Sequence, residues 1–367
     1  MITARADVVG SLLRPPELLE ARDRVERGEI GPPEFKRVED SAVTAAIRLQ
    51  EGAGLTVVTD GEMRRLSFQS QFAEAVEGFS DWDLDAFLWG DWHGDEVGDK
   101  LIEHPPIAVL DRLRRRRFLS AEEFSSARAA TERTVKVTLP SPSLFANFYD
   151  PQRSRGVYPS LESFLAEVAE ILREEVDELV RLGCEYVQLD APHYPLLLDP
   201  AYRDFYASRG WPAQHWLDLG IELDNIVIGG RPGVTFGFHL CRGNQQSRWL
   251  VEGGYGWLAQ RLFPRVRAQR LLLEYDDERS GGFEPLAAVP EGAIAVLGLI
   301  TTKTGRRETI DELVTRTHEA ARYLPLGRLA LSPQCGFATS ILGNALTPAD
   351  QEAKLRTLVA TAERIWD

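Results

Sequence analysis

Short continuous apolar runs alternate with longer amphipathic stretches along this chain. The runs fall at 8–15, 55–62, 134–141, 186–192, 234–241, 270–277, 294–302 and 329–337, and most of them end in a polar or acidic residue. Each is rich in Val, Ile, Leu, Phe or Tyr and stops at Gly, Pro or Asp, which predicts a strand. Helical spacing of apolar positions predicts helices at about 16–28, 33–53, 160–182, 200–219, 246–261, 309–323 and 347–366. Thr347-Pro348 is a helix start signal, because proline fits the first helical turn.

Strands that read as unbroken apolar runs are buried on both faces, and strands that alternate with helices form a parallel sheet. Eight such units predict an α/β fold, a single (β/α)8 TIM barrel, with residues 1–367 as one domain. The segment at about 79–130 breaks the rhythm and is expected to be an insertion between strands 2 and 3, whose aromatic residues cover a site or form a subunit contact. It holds Trp82, Trp89 and Trp92 among acids and glycines, a β-like piece near 107–110, and the basic run at 111–117. That run reads either as an anion site or as a solvated turn.

Composition narrows the function. The net charge of −14 argues against nucleic acid or an anionic membrane as the main partner. No apolar run approaches the roughly 20 residues of a membrane span, and the N-terminus does not read as a signal peptide. Three cysteines in 367 residues make no disulfide framework, and a cytoplasmic location is expected. Cys184, at a helix exit, reads as a buried structural thiol.

In a barrel of this kind the chemistry sits at the C-terminal ends of the strands. Those ends supply Ser11, Asp60, Glu62, Ser141, Ser143, Asp190, His193, His239, Cys241, Glu274, Lys303 and Cys335. His239 and Cys241 lie two apart on a strand and project to one side. If the ends of strands five, six and eight meet, His239, Cys241, Glu274 and Cys335 form a four-ligand set suited to zinc. The competing reading is two buried thiols, a buried histidine and a salt-bridged carboxylate. Asp190 reads equally as a structural cap, Glu62 as a partner of Arg64 or Arg65, and Ser11 as a helix cap. His193 reads as a substrate contact or as a support for one. His215 and His318 read as surface residues, and His93 and His104 stay unassigned.

With these residues placed, the chain resembles the cobalamin-independent methionine synthase family, specifically its catalytic C-terminal barrel. The resemblance is carried by Val9-Gly10-Ser11, Asp60-Gly61-Glu62-Met63-Arg64-Arg65, Leu189-Asp190-Ala191-Pro192, His239-Leu240-Cys241, Glu274 and Cys335, and it spans essentially the whole chain. It implies a zinc-dependent methyltransferase that binds homocysteine as a zinc thiolate. By resemblance His239, Cys241, Glu274 and Cys335 hold the zinc, with Glu274 the labile ligand. Gly10 and Ser11 hold the amino acid's carboxylate, and Glu62 and Asp190 hold its ammonium.

Four departures point away from polyglutamylated methyltetrahydrofolate as methyl donor. The family's second, N-terminal barrel has no counterpart here, and its Asp-Glu-Pro is Asp190-Ala191-Pro192. No tryptophan follows strand three, and Lys303 stands where the family has a proton-delivering histidine. A methyl-corrinoid protein is one expected donor. A related branch, which opens epoxides with coenzyme M, supplies the alternative function. A zinc hydrolase and a purely structural zinc site are further rivals, although two thiolates blunt the Lewis acidity a hydrolase needs.

Overall fold

The computed structural model describes residues 1–80, 89–104 and 107–367. Seven of the expected strands pair in chain order, all parallel: β1 (Val57–Val58), β2 (Thr134–Pro140), β3 (Tyr186–Asp190), β4 (Thr235–Leu240), β5 (Arg270–Glu274), β6 (Ile294–Ile300) and β7 (Leu329–Pro333). Residues of β3 to β7 are buried throughout, as the unbroken apolar runs require. The sheet is curled. Lys136 on β2 and Arg270 on β5 are separated by two intervening strands, yet both reach the carboxylate of Asp7, at 2.9 and 3.0 Å. Tyr186 donates to the same carboxylate at 2.7 Å. Burial works against the ionised Asp7, but Lys136 and Arg270 hold it below the usual carboxylate range.

The structure corrects the reading of residues 8–15 as the first strand. Among the described residues this segment forms no strand; Ala6 makes a single parallel bridge to Leu331. Further along, the N–H of Leu12 donates to Gly61 at 3.0 Å, and Gly10 accepts from the Thr59 hydroxyl at 2.6 Å. Gly10 and Pro15 interrupt the run, and an isolated backbone bond and the Thr59 hydroxyl replace a strand ladder. The strand expected at 55–62 shrinks to β1 for a similar reason. Gln50, on the helix Pro32–Gly52, bonds both the N–H and the carbonyl of Thr59, at 3.0 and 2.8 Å. The architecture is therefore an α/β fold around a curled seven-stranded parallel sheet.

Helices cover the outside, and their starts follow the sequence signals. Ser160, Thr309 and Thr347 each complete a capping box, opening Leu161–Arg181, Ile310–Ala320 and Pro348–Trp366. The helix expected at 246–261 is confined to Gly256–Leu262, because Gln246 and Ser247 take positive φ.

Within the 79–130 region, Val109–Arg115 pairs antiparallel with Val76–Phe79, and Gly90–Trp92 pairs with Lys100–Ile102. The basic run is not a turn, and its arginines are paired with carboxylates. It lies largely on a strand, where Arg112 and Arg115 pair with Glu167 and Glu174, Arg114 and Arg116 with Glu77, and Arg117 with Glu74. Trp82 lies outside the described residues.

Candidate active site

Two strand ends build the centre of the site. His239 lies on β4, Cys241 directly follows it, and Cys335 follows β7. One donor atom from each lies within 4.8 Å of the others, and all three residues are buried. Both ring nitrogens of His239 lack a hydrogen-bond partner. A buried imidazole so placed carries a desolvation cost that a metal ion would offset. Cys241 is held below the ordinary thiol range, chiefly by a hydrogen bond from Cys335 and then by His239, and the same contact holds Cys335 above it. One nitrogen and two sulfurs are a donor set that fits a borderline-soft ion such as zinc.

Glu274 lies outside that triangle. Its Oε2 accepts the N–H of Arg242 at 2.6 Å, and its Oε1 accepts from Lys303 at 3.0 Å. Lys303 is buried behind Glu274 and does not line the pocket.

The pocket opens over the sulfurs. Val9, Ser11, Glu62, Asp190, His193, His239, Cys241 and Cys335 line its floor. Gly10 and Gly336 make this convergence possible. A β-carbon on Gly336 would meet Ser11 Oγ at 2.0 Å, so only glycine admits the hydroxyl beside Cys335. Glu62 holds a backbone φ of 55°, a strained conformation for a non-glycine residue. Its Oε1 accepts from Thr138 at 2.8 Å and lies 3.6 Å from Arg65, whereas its buried Oε2 has no partner. Glu62 thus pairs with Arg65 and leaves one buried oxygen at the pocket without a partner.

Asp190 faces the imidazole strand, in register with His239. Gln188 donates to it at 2.7 Å and is itself oriented by Lys136, which donates to the other end of the same amide at 2.8 Å. Burial pushes the Asp190 carboxyl up to about 7. His193 bonds Ser143 through Nε2 at 2.7 Å, while its Nδ1 has no partner; burial pushes its pKa down to about 3, so the ring is neutral. Ser141 is not in the pocket but donates to the buried Asp224 at 2.7 Å. Asp60 likewise turns away, accepting the N–H of Glu62 at 2.8 Å.

Sequence reasoning singled out Trp89 and Trp92 as aromatic residues of the insertion but missed the rest of the pocket wall. Trp89 and Trp92, from the segment at 79–130, line it with Phe68, Leu144, Asn147, Leu196, Leu250 and Thr339. Trp89 packs on Tyr202 and Phe205, with ring centres 5.1 and 4.6 Å away. The cluster of aromatic residues in an otherwise acidic insertion was the available signal. The remaining histidines are placed more simply: His215 and His318 are exposed, as expected. Cys184 is buried, with its thiol pushed up to about 12 by burial.

A curled parallel sheet with a histidine and two cysteines at its carboxyl ends, under an aromatic-walled pocket, defines a class of α/β protein with a thiol-rich group that could hold a metal ion. The comparisons name the family. The model of the cobalamin-independent synthase catalytic domain matches residues 1–363. Bacillus subtilis YxjH, an uncharacterized protein, is 33% identical over 99% of this chain and 94% of its own length. The methionine synthase of Pyrococcus abyssi is 27% identical, over 90% of this chain and 85% of its own. A Listeria monocytogenes crystal structure, provisionally assigned as a vitamin-B12-independent methionine synthase, superposes with a TM-score of 0.75 at 26% identity, covering 100% of both chains. This chain belongs to the cobalamin-independent methionine synthase family and, with it, to the methyltransferases.

Proposed function

We propose that this protein is a zinc-dependent thiol S-methyltransferase that converts L-homocysteine to methionine. The observation that carries the reading is the His239, Cys241 and Cys335 triangle beside two buried pocket carboxylates, Glu62 and Asp190. With Glu274 as fourth ligand, the set suits zinc, which when bound supplies a thiolate from an acceptor thiol at neutral pH.

The chain's own residues orient that acceptor. The free Oε2 of Glu62 and the carboxylate of Asp190 receive its ammonium. Ser11 and the backbone at Gly10 receive its carboxylate, and His193, neutral and fixed by Ser143, presents Nδ1 as a further polar contact. The acceptor's sulfur displaces the donor's leaving group at the methyl carbon: a carbon–sulfur bond forms, the methyl–donor bond breaks, and its electron pair leaves with the donor. Trp89, Trp92, Phe68 and Leu196 give the donor side of the pocket an aromatic, water-excluding wall. That wall favours a small-molecule methyl donor; a corrinoid protein finds no support among the relatives.

Two carboxylates also set the choice between acceptors. Coenzyme M carries a sulfonate and no ammonium, so it would meet like charge where homocysteine finds opposite charge. In this reading residues 1–367 form one domain, an eight-stave (β/α)8 barrel with 79–130 as its insertion. The bonds of residues 5–12 to Leu331 and Gly61 support that closure. The cytoplasm is the proposed compartment, where the three free cysteines stay reduced. No helix among the described residues is long and apolar enough to cross a membrane.

The test is zinc-edge X-ray absorption on purified protein, with and without L-homocysteine. One zinc per chain bound by two sulfurs, rising to three with homocysteine, is the expected result. A shell that ignores homocysteine and gains sulfur from coenzyme M would move the acceptor. Protein that takes up no zinc would remove the reading altogether.

A further inference from the structure

One ammonium in this site faces two carboxylates. Lys303 Nζ lies 3.0 Å from Oε1 of Glu274 and 3.7 Å from Oδ2 of Asp276. All three side chains are buried. Lys303 bonds Glu274, whereas neither oxygen of Asp276 completes a hydrogen bond; Thr301 and Arg279 are its other polar neighbours. A buried carboxylate left without a hydrogen bond costs several kcal/mol in order of magnitude.

The arrangement makes sense as two stations for one cation. With Lys303 on Glu274, that carboxylate is held outside the triangle of His239, Cys241 and Cys335. A movement of the ammonium by about 1 Å would bring Asp276 to hydrogen-bond distance. Glu274 would then keep only the Arg242 N–H and be free to act as a metal ligand. We propose that Lys303 is a positioning residue that alternates between Glu274 and Asp276, and so sets how readily Glu274 gives up the metal to an incoming thiol. This rests on the zinc–thiolate reading above.

The test uses the full chain and two readouts other than turnover. Zinc affinity is measured by competition with a chromogenic chelator, and L-homocysteine affinity of the zinc-loaded protein is followed by the sulfur count at the zinc edge. Lys303→Met removes the off-metal station, so zinc should bind at least about tenfold more tightly and homocysteine about tenfold more weakly, the scale on which partners of metal ligands act. Asp276→Asn should shift both affinities in the opposite directions. A general field effect of the two charges would give the same signs. The decisive comparison is therefore the Glu274→Gln background, where no ligand carboxylate remains to be held or released and both effects should vanish.

Effects that persist undiminished in Glu274→Gln, or variants that leave both affinities unchanged, would overturn the inference while leaving the zinc–thiolate reading intact. Wild-type protein that gains no sulfur from homocysteine would overturn both. Should Lys303→Met fail to fold, Asp276→Asn and its Glu274→Gln double variant carry the same test.

Discussion

A β-carbon on Gly10 would stand 2.6 Å from Oε1 of Glu62, so the backbone near the start of the chain and a pocket carboxylate are in direct contact. Neither partner has room to yield. Thr138 and Arg65 hold the carboxylate from behind, and the strained backbone of Glu62 fixes its direction.

Gly10→Ala should therefore displace the Glu62 side chain without touching the metal ligands. The KM for homocysteine should rise about tenfold, equivalent to about 1.4 kcal/mol, with zinc content unchanged. Steady-state kinetics beside metal analysis checks this. An unchanged KM would remove Glu62 from the acceptor site.

The buried imidazole of His239, with no hydrogen-bond partner at either nitrogen, is a local cost that a bound metal would offset, so zinc should stabilise the folded state. Added zinc at about a hundred times its Kd should raise the unfolding free energy by about 2.7 kcal/mol if the unfolded chain binds none. Cys335→Ser should lose most of that gain. Denaturant titrations of metal-free protein, with and without zinc, measure it. Equal stabilisation of wild type and Cys335→Ser would place the zinc elsewhere.

Asp224 is fully buried and accepts hydrogen bonds from Ser141 and Tyr194, and burial pushes its carboxyl up to about 7. Between its unfolded value near 4 and that value, the native state binds a proton that the unfolded chain releases. Stability from this group is thus complete at the acid end and is lost as pH rises through the window. Asp224→Asn, which stays neutral, should gain on wild type from about pH 4 to pH 7 and hold a constant advantage above that. Denaturant midpoints of both proteins across this range decide it. A wild type that gains on the variant with rising pH would show a charged, stabilised Asp224.

Trp89→Ala should open the aromatic wall and weaken the donor side alone. Homocysteine should still raise the sulfur count at the zinc edge, while the rate at limiting donor falls about tenfold or more, the cost of losing about 1.4 kcal/mol of contact. Comparable loss of homocysteine binding would mean that Trp89 holds the acceptor instead.

Much of this was legible in the chain because it is encoded locally. Unbroken apolar runs mark strands covered on both faces, and seven of them pair in the order written. Ser160, Thr309 and Thr347 announce their helices through side-chain bonds within one turn. A two-residue spacing on a strand is enough to point His239 and Cys241 the same way.

Other features depend on partners distant in sequence. Residues 8–15 look like a strand, but Gly10 and the Thr59 hydroxyl redirect their bonding. Lys303 is visible in the chain as a strand-end residue, but only the fold sets it between Glu274 and Asp276. The pocket wall comes from Trp89 and Trp92, which no spacing rule connects to Cys335. Periodicity reports which faces a segment buries, and so the sequence by itself determined the elements, their order and the thiol-rich chemistry at their ends. Only the curl of the sheet, which brings β4 and β7 together across two strands, decided that His239, Cys241 and Cys335 meet, and only the pairing of β5 with β6 set Glu274 against Lys303.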